Sequence, residues 1–366
     1  MSGVSAARPA AGAAMLEVDV TVAHPGFTLT AQLAAAAGET VAVMGPSGAG
    51  KSTLLAAMAG LIPLQKGAIT LAGDVLSEPG AQIAAARRGT VLLGQDPRLF
   101  PHLDVRENVA FGLRASGAPA RAARAQAEQW LARVGLDGAG ARRPAELSGG
   151  QQQRVAIARA LAAEPRLVLL DEPLTSLDPV TADGIRSLLG EHLAGRTCVF
   201  VTHDAVDAVA IADRVAVIEG GRVTQAGAVR DILRAPATPF VAALAGLNRI
   251  IGTAVPGGIR CGAITVPAPD VPGAARGAEV AAVFRPARVR IVAASSAEAA
   301  EGAEAGGTWR TTVARVEPTL SGVRIHTVDA GIAVDATLDD LAVHDLRPGT
   351  PLRLAVDADD VRVLPA

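Results

Sequence analysis

The sequence predicts an α/β domain wound on a largely parallel sheet, followed by a smaller β-rich region. Three observations carry this expectation. A glycine-rich turn, Gly45-Pro46-Ser47-Gly48-Ala49-Gly50, separates an apolar run over 40–44 from a helix-forming run over 51–60. Further continuous apolar runs over 167–170 and 197–201 read as strands covered on both faces, which a parallel sheet under helices requires. After Phe240 helical periodicity gives way to short β-like runs.

The elements follow in order. Residues 16–22 and 27–33 alternate apolar and polar, the pattern of antiparallel strands with one wet face. The core strand over 40–44 and the helix from Lys51 come next, then a strand and turn over 67–74 and a buried strand between Gly89 and Gly94. Residues 104–160 read as mainly helical, with Trp130, Leu131 and Val134 on one face of a helix over 121–134 and a second helical run over 152–163. Strands at 167–170, 197–201 and 214–218 alternate with helices at 180–193 and 205–212. Beyond them, β-like runs stand at 259–266, 279–284 and 288–292, and the low-complexity stretch 293–307 reads as a mobile connector. Runs at 308–316, 322–328, 332–336 and 351–356 read as strands of a small barrel.

Length and composition bound the rest. The chain has 366 residues, enough for two or three domains, and 50% of them are apolar. Its formal net charge of −2 gives no general attraction to nucleic acid or anionic lipid, so a nucleic-acid partner is not expected. Cys198 and Cys261 have no partner spacing; Cys198 lies in an apolar run and reads as a buried reduced thiol, which suits a reducing compartment. No stretch approaches the roughly 18 uninterrupted apolar residues of a membrane span, so any membrane role is expected through a partner. Residues 1–14, rich in Ala, Gly and Pro, read as a disordered tail.

The turn at Gly45 has the spacing G-x-x-x-x-G-K-S of a phosphate-binding loop, completed by Lys51, Ser52 and Thr53. Its glycines let backbone N–H groups face a polyphosphate, and the helix opening at Lys51 adds its positive dipole end. Lys51 supplies a mobile charge for the β- and γ-phosphates, and the Ser52 hydroxyl is a hard oxygen ligand for Mg²⁺. Lys51 and Lys66 are the chain's only lysines, which makes a lysine at this position hard to ascribe to chance. Asp171 ends an apolar strand, where a carboxylate facing the nucleotide can hold the Mg²⁺ shell. Glu172 beside it is placed as general base for the attacking water. His203 follows a second core strand within reach of a γ-phosphate, and Gln95 carries a neutral amide that can ligate Mg²⁺ or the water.

These residues, together with Leu147-Ser148-Gly149-Gly150-Gln151, resemble the ATPase subunit of ATP-binding cassette (ABC) transporters over about residues 16–235. The run at 147–151 is similar to that family's signature, 167–172 to its Walker B strand, Ser176-Leu177-Asp178 to its D-loop, His203 to its switch histidine and Gln95 to its Q-loop. The resemblance implies a P-loop NTPase cassette with a RecA-like core, an antiparallel β subdomain and an α-helical signature subdomain. It implies ATP and Mg²⁺ as cofactors. It also implies a homodimer in which Ser148, Gly149, Gly150, Gln151 and Asp178 contact the ATP held by the opposite copy. The family stacks adenine on an early aromatic residue; here that neighbourhood offers Phe27 or His24.

One cassette, no fused span and a β-rich extension resemble importers. Arg142-Arg143-Pro144-Ala145-Glu146 stands where exporters carry an acidic loop. The extension resembles the OB/TOBE-like regulatory barrel of oxyanion, sugar and polyamine importer ATPases. Gly246-Leu247-Asn248-Arg249, Val283-Phe284-Arg285-Pro286 and the single repeat over 308–365 look most like molybdate importer ATPases, with sulfate/thiosulfate, iron and polyamine importers as alternatives. That repeat opens Thr308-Trp309-Arg310-Thr311-Thr312 and not with the family's Ser-Ala-Arg-Asn-like segment, which leaves oxyanion binding there without support. The expected organisation is an ATPase domain over 15–235, a linker and first β-rich part over 236–307, and a terminal TOBE/Mop-like β domain over 308–366. Expected partners are transmembrane permease subunits and, indirectly, a periplasmic or lipid-anchored binding protein, with the chain on the cytoplasmic face of the membrane. A non-transport ABC protein, or a nucleotide switch without turnover, is the rival from another class.

Overall fold

The computed structural model describes residues 15–24, 26–269, 277–292, 308–319, 322–329, 331–337, 339–340 and 346–366. The tail expected over 1–14 and the connector expected over 293–307 lie outside them. The chain divides into two compact units, Met1–Ile232 and Leu233–Ala366.

The first unit is built on one sheet of eleven strands. Its strands are β1 (Leu16–His24), β2 (Phe27–Ala35), β3 (Thr40–Met44), β4 (Lys66–Leu71), β5 (Asp74–Glu78), β6 (Ala81–Gln82), β7 (Thr90–Leu93), β8 (Leu167–Asp171), β9 (Cys198–Val201), β10 (Arg214–Glu219) and β11 (Arg222–Ala228). They lie in the order β6-β5-β4-β1-β2-β11-β10-β3-β9-β8-β7. One end is antiparallel: β1 pairs with β2 and β4, and β5 with β4 and β6. Side chains of β2 alternate buried and exposed there, as a one-faced strand requires.

The other end is parallel, with β3 between β10 and β9, and β8 between β9 and β7. Every residue of β3, β8 and β9 is buried, which is why these runs are apolar without alternation. The strand expected as buried between Gly89 and Gly94 is instead the outer strand, β7. Only Leu93 is fully buried in it, because one side has no neighbouring strand. Parallel pairing brings the C-terminal ends of β3, β7, β8 and β9 to one edge, where ligands of such sheets bind.

The helices of this unit are α1 (Lys51–Met58), α2 (Val105–Ala115), α3 (Ala120–Arg133), α4 (Gly149–Ala162), α5 (Pro179–Leu193) and α6 (Ala205–Ile211); α1 packs against β1, β2, β8 and β9, and α4 against β7. Among them α2, α3 and α4 pack on one another, with Ala123, Ala127, Trp130 and Leu131 forming the buried stripe of α3.

The second unit carries short helices α7 (Val229–Arg234, beginning in the first unit) and α8 (Pro239–Leu244), then mainly strands, with 3-10 turns at Pro286–Arg288 and Ala358–Asp360. These are β12 (Asn248–Val255), β13 (Gly258–Cys261), β14 (Ile264–Pro267), β15 (Glu279–Phe284), β16 (Arg290–Val292), β17 (Thr308–Thr319), β18 (Gly322–Thr327), β19 (Ala333–Ala336), β20 (Pro351–Ala355) and β21 (Arg362–Pro365). They form two five-stranded sheets, β14-β13-β12-β15-β21 and β16-β20-β17-β18-β19, which share one core including Ile250, Phe284, Trp309, Ile325 and Leu354. The run 259–266, read as one strand, is a hairpin: Gly262 takes φ +56° and turns the chain between β13 and β14. Asn248 joins the sheets, its Nδ2 donating to Ala333 O at 2.8 Å and its Oδ1 accepting from Ala333 N at 2.7 Å. Cys198 is fully buried in β9 and Cys261 is half-buried in β13.

Candidate nucleotide site

The phosphate loop runs from the end of β3 into α1. At Gly45 an added Cβ would lie 2.1 Å from Ile218 O of β10, so only glycine fits the turn that leaves the strand. At Gly50, φ +102°, a Cβ would lie 2.8 Å from the Phe27 ring. Phe27 therefore supports the loop from beneath; the side chain of His24 lies outside the described residues. Ala49 N donates to Pro46 O at 3.2 Å, and Leu54 N to Gly50 O at 2.9 Å begins the helical ladder. Ser47, Gly48 and Ser52 are exposed at the mouth and Thr53 is half-buried behind them. Lys51 is buried, and its Nζ donates to Gly45 O at 2.8 Å and Pro46 O at 2.9 Å. Burial lowers its pKa, and the nearby Glu172 and Asp171 carboxylates act in the opposite sense.

Asp171, the last residue of β8, faces this lysine. Burial raises its pKa, joined by the neighbouring Glu172 charge; hydrogen bonds from Ser52 and Gln95 and the Lys51 charge pull the other way. Its Oδ1 is nonetheless buried without a hydrogen-bond partner. An orphaned carboxylate oxygen beside a hydroxyl and a carboxamide is a donor set for a hard cation. Among the described residues no group of three or more His, Cys, Asp or Glu is placed to hold a metal alone. A cation here would take its remaining oxygens from phosphates and water, the usual situation of Mg²⁺.

Glu172 adopts φ +51°, the left-handed region that costs a β-carbon-bearing residue energy and clusters at functional sites. Its N donates to Val201 O of β9 at 3.0 Å. Its Oε2 accepts from Thr175 Oγ1 at 3.3 Å and lies 3.5 Å from His203 Nδ1. His203 is 60% exposed against 21% for Glu172, so the pair opens outward from the sheet edge. The structure thus gathers Lys51, Ser52, Gln95, Asp171, Glu172 and His203.

The signature residues form a separate group. Ser148 caps α4: its Oγ accepts from Gln151 N at 3.3 Å, and Gln151 Oε1 accepts from Ser148 N at 3.0 Å, a reciprocal capping box. Ser148 and Gly149 are exposed. Asp178 caps α5 by accepting from Thr181 N at 3.1 Å, and the Thr181 hydroxyl first, then this backbone bond, hold its carboxyl below the usual range. Among the described residues no hydrogen bond or ion pair joins Ser148, Gly149, Gly150, Gln151 or Asp178 to the phosphate loop.

The family described as ABC transporter matches residues 30–175. The molybdenum import ATP-binding protein ModC of Mycobacterium tuberculosis is 41% identical over 357 residues, 92% of this chain and 94% of that protein. The chain belongs to the ATP-binding subunits of ABC importers. The Fe(3+) ions import ATP-binding protein FbpC of Streptomyces avermitilis is 40% identical, over 89% of this chain and 90% of its own length. The sulfate/thiosulfate import ATP-binding protein CysA of Bordetella parapertussis is 44% identical, over 65% and 68%. A solved dimer of an ATP-binding cassette in a post-hydrolysis state, with ADP and Pi, is 31% identical. It superposes with a TM-score of 0.54 over 59% of this chain and 99% of that one. The protein is an ATPase that binds ATP.

Two features of this importer ATPase escape motif reading. The residues on either side of His203 belong to one network: Thr202 Oγ1 donates to Asp207 Oδ2 at 3.0 Å and accepts from Asp204 N at 3.0 Å, while Arg186 Nε donates to Asp207 Oδ1 at 2.9 Å. Arg88, 1% exposed, grips the far end of α1. It donates to Met58 O at 3.0 Å, Ala57 O at 3.4 Å, Ile83 O at 2.8 Å and Ser77 Oγ at 2.6 Å. A cation at a helix C-terminus complements the dipole, so Arg88 needs no carboxylate there. Neither Asp207 nor Arg88 belongs to a recognisable motif, since Asp207 is partnered by Arg186 and Arg88 by the end of α1.

Proposed function

We propose that this ATPase subunit powers uptake of an oxyanion, molybdate first among the candidates, through a partner permease. The observation that carries the substrate is the ModC likeness, which extends over 92% of the chain and so includes the β-rich unit. The iron and sulfate/thiosulfate importer ATPases, at 40% and 44% identity, favour the second reading of a different anion or metal cargo; a polyamine cargo is a remoter alternative.

In this reading residues 45–53 wrap the phosphates, Lys51 leaves Gly45 O and Pro46 O for the β- and γ-phosphate oxygens, and Gln95 senses the γ-phosphate. Glu172 takes a proton from the attacking water and His203 steadies the γ-phosphate side of that water. Ser52, Gln95 and Asp171 fit Mg²⁺, which neutralises charge on the β- and γ-oxygens when bound. Two copies pair head to tail, so that Ser148, Gly149, Gly150, Gln151 and Asp178 of one cover the nucleotide of the other. The permease subunits hold this dimer at the cytoplasmic face of the membrane and receive cargo from a periplasmic or lipid-anchored binding protein. Among the described residues no helix is long and apolar enough to cross a membrane, in keeping with a peripheral subunit. Domain boundaries at 15–235, 236–307 and 308–366, with an OB/TOBE-like regulatory barrel, complete the proposal.

The test is ATPase activity of the complex reconstituted with permease and binding protein, against molybdate, sulfate, ferric iron and a polyamine. Stimulation by molybdate alone is expected; stimulation by another cargo and not by molybdate overturns the substrate.

A further inference from the structure

We propose that Gln153 is a positioning residue that ties Glu172 to the signature helix of the same protomer, an inference that rests on the reading of Glu172 as the general base. Glu172 is fixed upstream, where its N donates to Val201 O at 3.0 Å. Downstream comes Pro173, which has no N–H, so its carbonyl is the one backbone group by which the chain can be held there. Gln153, in α4, takes that carbonyl: its Nε2 donates to Pro173 O at 3.1 Å. The left-handed backbone of Glu172, φ +51°, thus lies between two anchors, one from β9 and one from α4. A conformation of this kind persists only where its surroundings over-determine it.

The amide orientation is not arbitrary. A backbone carbonyl only accepts, so the Nε2 end must face Pro173. Gln153 is 1% exposed, and its Oε1 is buried with no partner. An apolar side chain of the same length would avoid that unpaired acceptor, and would also lose the donor. Retaining glutamine at this depth therefore makes sense through the bond to Pro173.

One turn away on the same face of α4, Gly150 lies near the same loop: a Cβ added there would stand 3.5 Å from Ser176 O and from Leu177 Cδ2, ordinary packing distance. The helix that opens with the capped Ser148 is thus bonded to the loop after Glu172 at Pro173 and runs close to it at Ser176 and Leu177. The Gln153–Pro173 bond is therefore the hydrogen-bonded tie between α4 and the backbone that follows Glu172.

A double-mutant cycle on the purified full chain tests this, reading steady-state turnover, equilibrium ATP binding and melting temperature. Gln153→Met should lower kcat about tenfold while ATP KM and Kd stay within about twofold, because only the aim of Glu172 is lost. Glu172→Gln should slow turnover far more, and the double variant should be no slower than Glu172→Gln alone. Should Gln153→Met fold poorly, Gln153→Asn keeps the amide but falls short of Pro173 O and should give the same kcat loss. Undiminished kcat in a folded Gln153 variant, or losses that multiply in the double variant, overturns the inference. If Glu172→Gln itself turns over normally, the reading of Glu172 falls first and this one with it.

Discussion

The phosphate-loop cluster and the signature turn both stand at helix N-termini, yet they are finished to different degrees. Around Lys51 the chain supplies a buried cation, an orphaned carboxylate oxygen, a hydroxyl, a carboxamide and a strained glutamate at one sheet edge. At Ser148 it supplies an exposed cap satisfied entirely by its own Gln151. The first site is assembled by parallel strand pairing inside the unit. The second is capped by its own helix, and among the described residues no hydrogen bond or ion pair joins it to the phosphate loop, which the proposed head-to-tail pairing requires.

Substitutions can break or sharpen that contrast. The largest effect is expected from Glu172→Gln: turnover about 10³-fold slower with ATP affinity within about twofold, read by steady-state ATPase and equilibrium binding. Equal loss of both would place Glu172 in binding instead of chemistry. Lys51→Ala should weaken ATP binding about 100-fold, since the charge meeting the phosphates is removed; unchanged affinity would end the phosphate-loop reading. Ser148→Arg should lower turnover about 100-fold while ATP binding to the isolated subunit survives. Loss of that binding would show that the signature serves its own chain's nucleotide and would erase the contrast.

The smallest effect concerns stability. Asp171 has its folded pKa above the unfolded value, so the native state holds the proton longer. Its contribution favours folding at low pH and is lost as pH rises through the raised pKa. In nucleotide-free protein at neutral pH, Asp171→Asn should therefore raise Tm by about 2–4 °C, the shift that about 1 kcal/mol produces at this domain size, while abolishing Mg²⁺-dependent turnover. A lowered Tm by calorimetry would mean that Ser52, Gln95 and Lys51 already compensate the buried carboxylate. Mg²⁺-dependent ATP binding by the unaltered protein should also weaken as pH falls, earlier than an ordinary aspartate would predict.

The parallel half of the sheet was legible because β3, β8 and β9 are buried on both faces and so read as unbroken apolar runs. The residues that end those strands could be brought together on paper for the same reason. What stayed hidden was long-range. That β7 is an outer strand depends on which neighbour it lacks, and nothing local in Thr90–Leu93 reveals it. The hairpin at Gly262 was masked by apolar residues on either side, and β12 and β21 by pairing with β15, whose residues lie far along the chain. Gln153, Arg88 and Asp207 carry no motif; each is intelligible only once its partner is in place. The left-handed backbone of Glu172 is likewise not announced by its residue type; its N is bonded to Val201 O, a residue of β9 far along the chain.

The two thiols have a practical consequence. Cys198 is fully buried and its pKa is driven well above the ordinary thiol range, whereas Cys261 is only half-buried. Nucleophilic attack needs the thiolate and access to it, so a maleimide or nitroxide reagent should mark Cys261 alone. The unaltered chain thus contains a single spectroscopic handle, seated in its β-rich unit, through which that unit can be watched while the cassette turns over ATP.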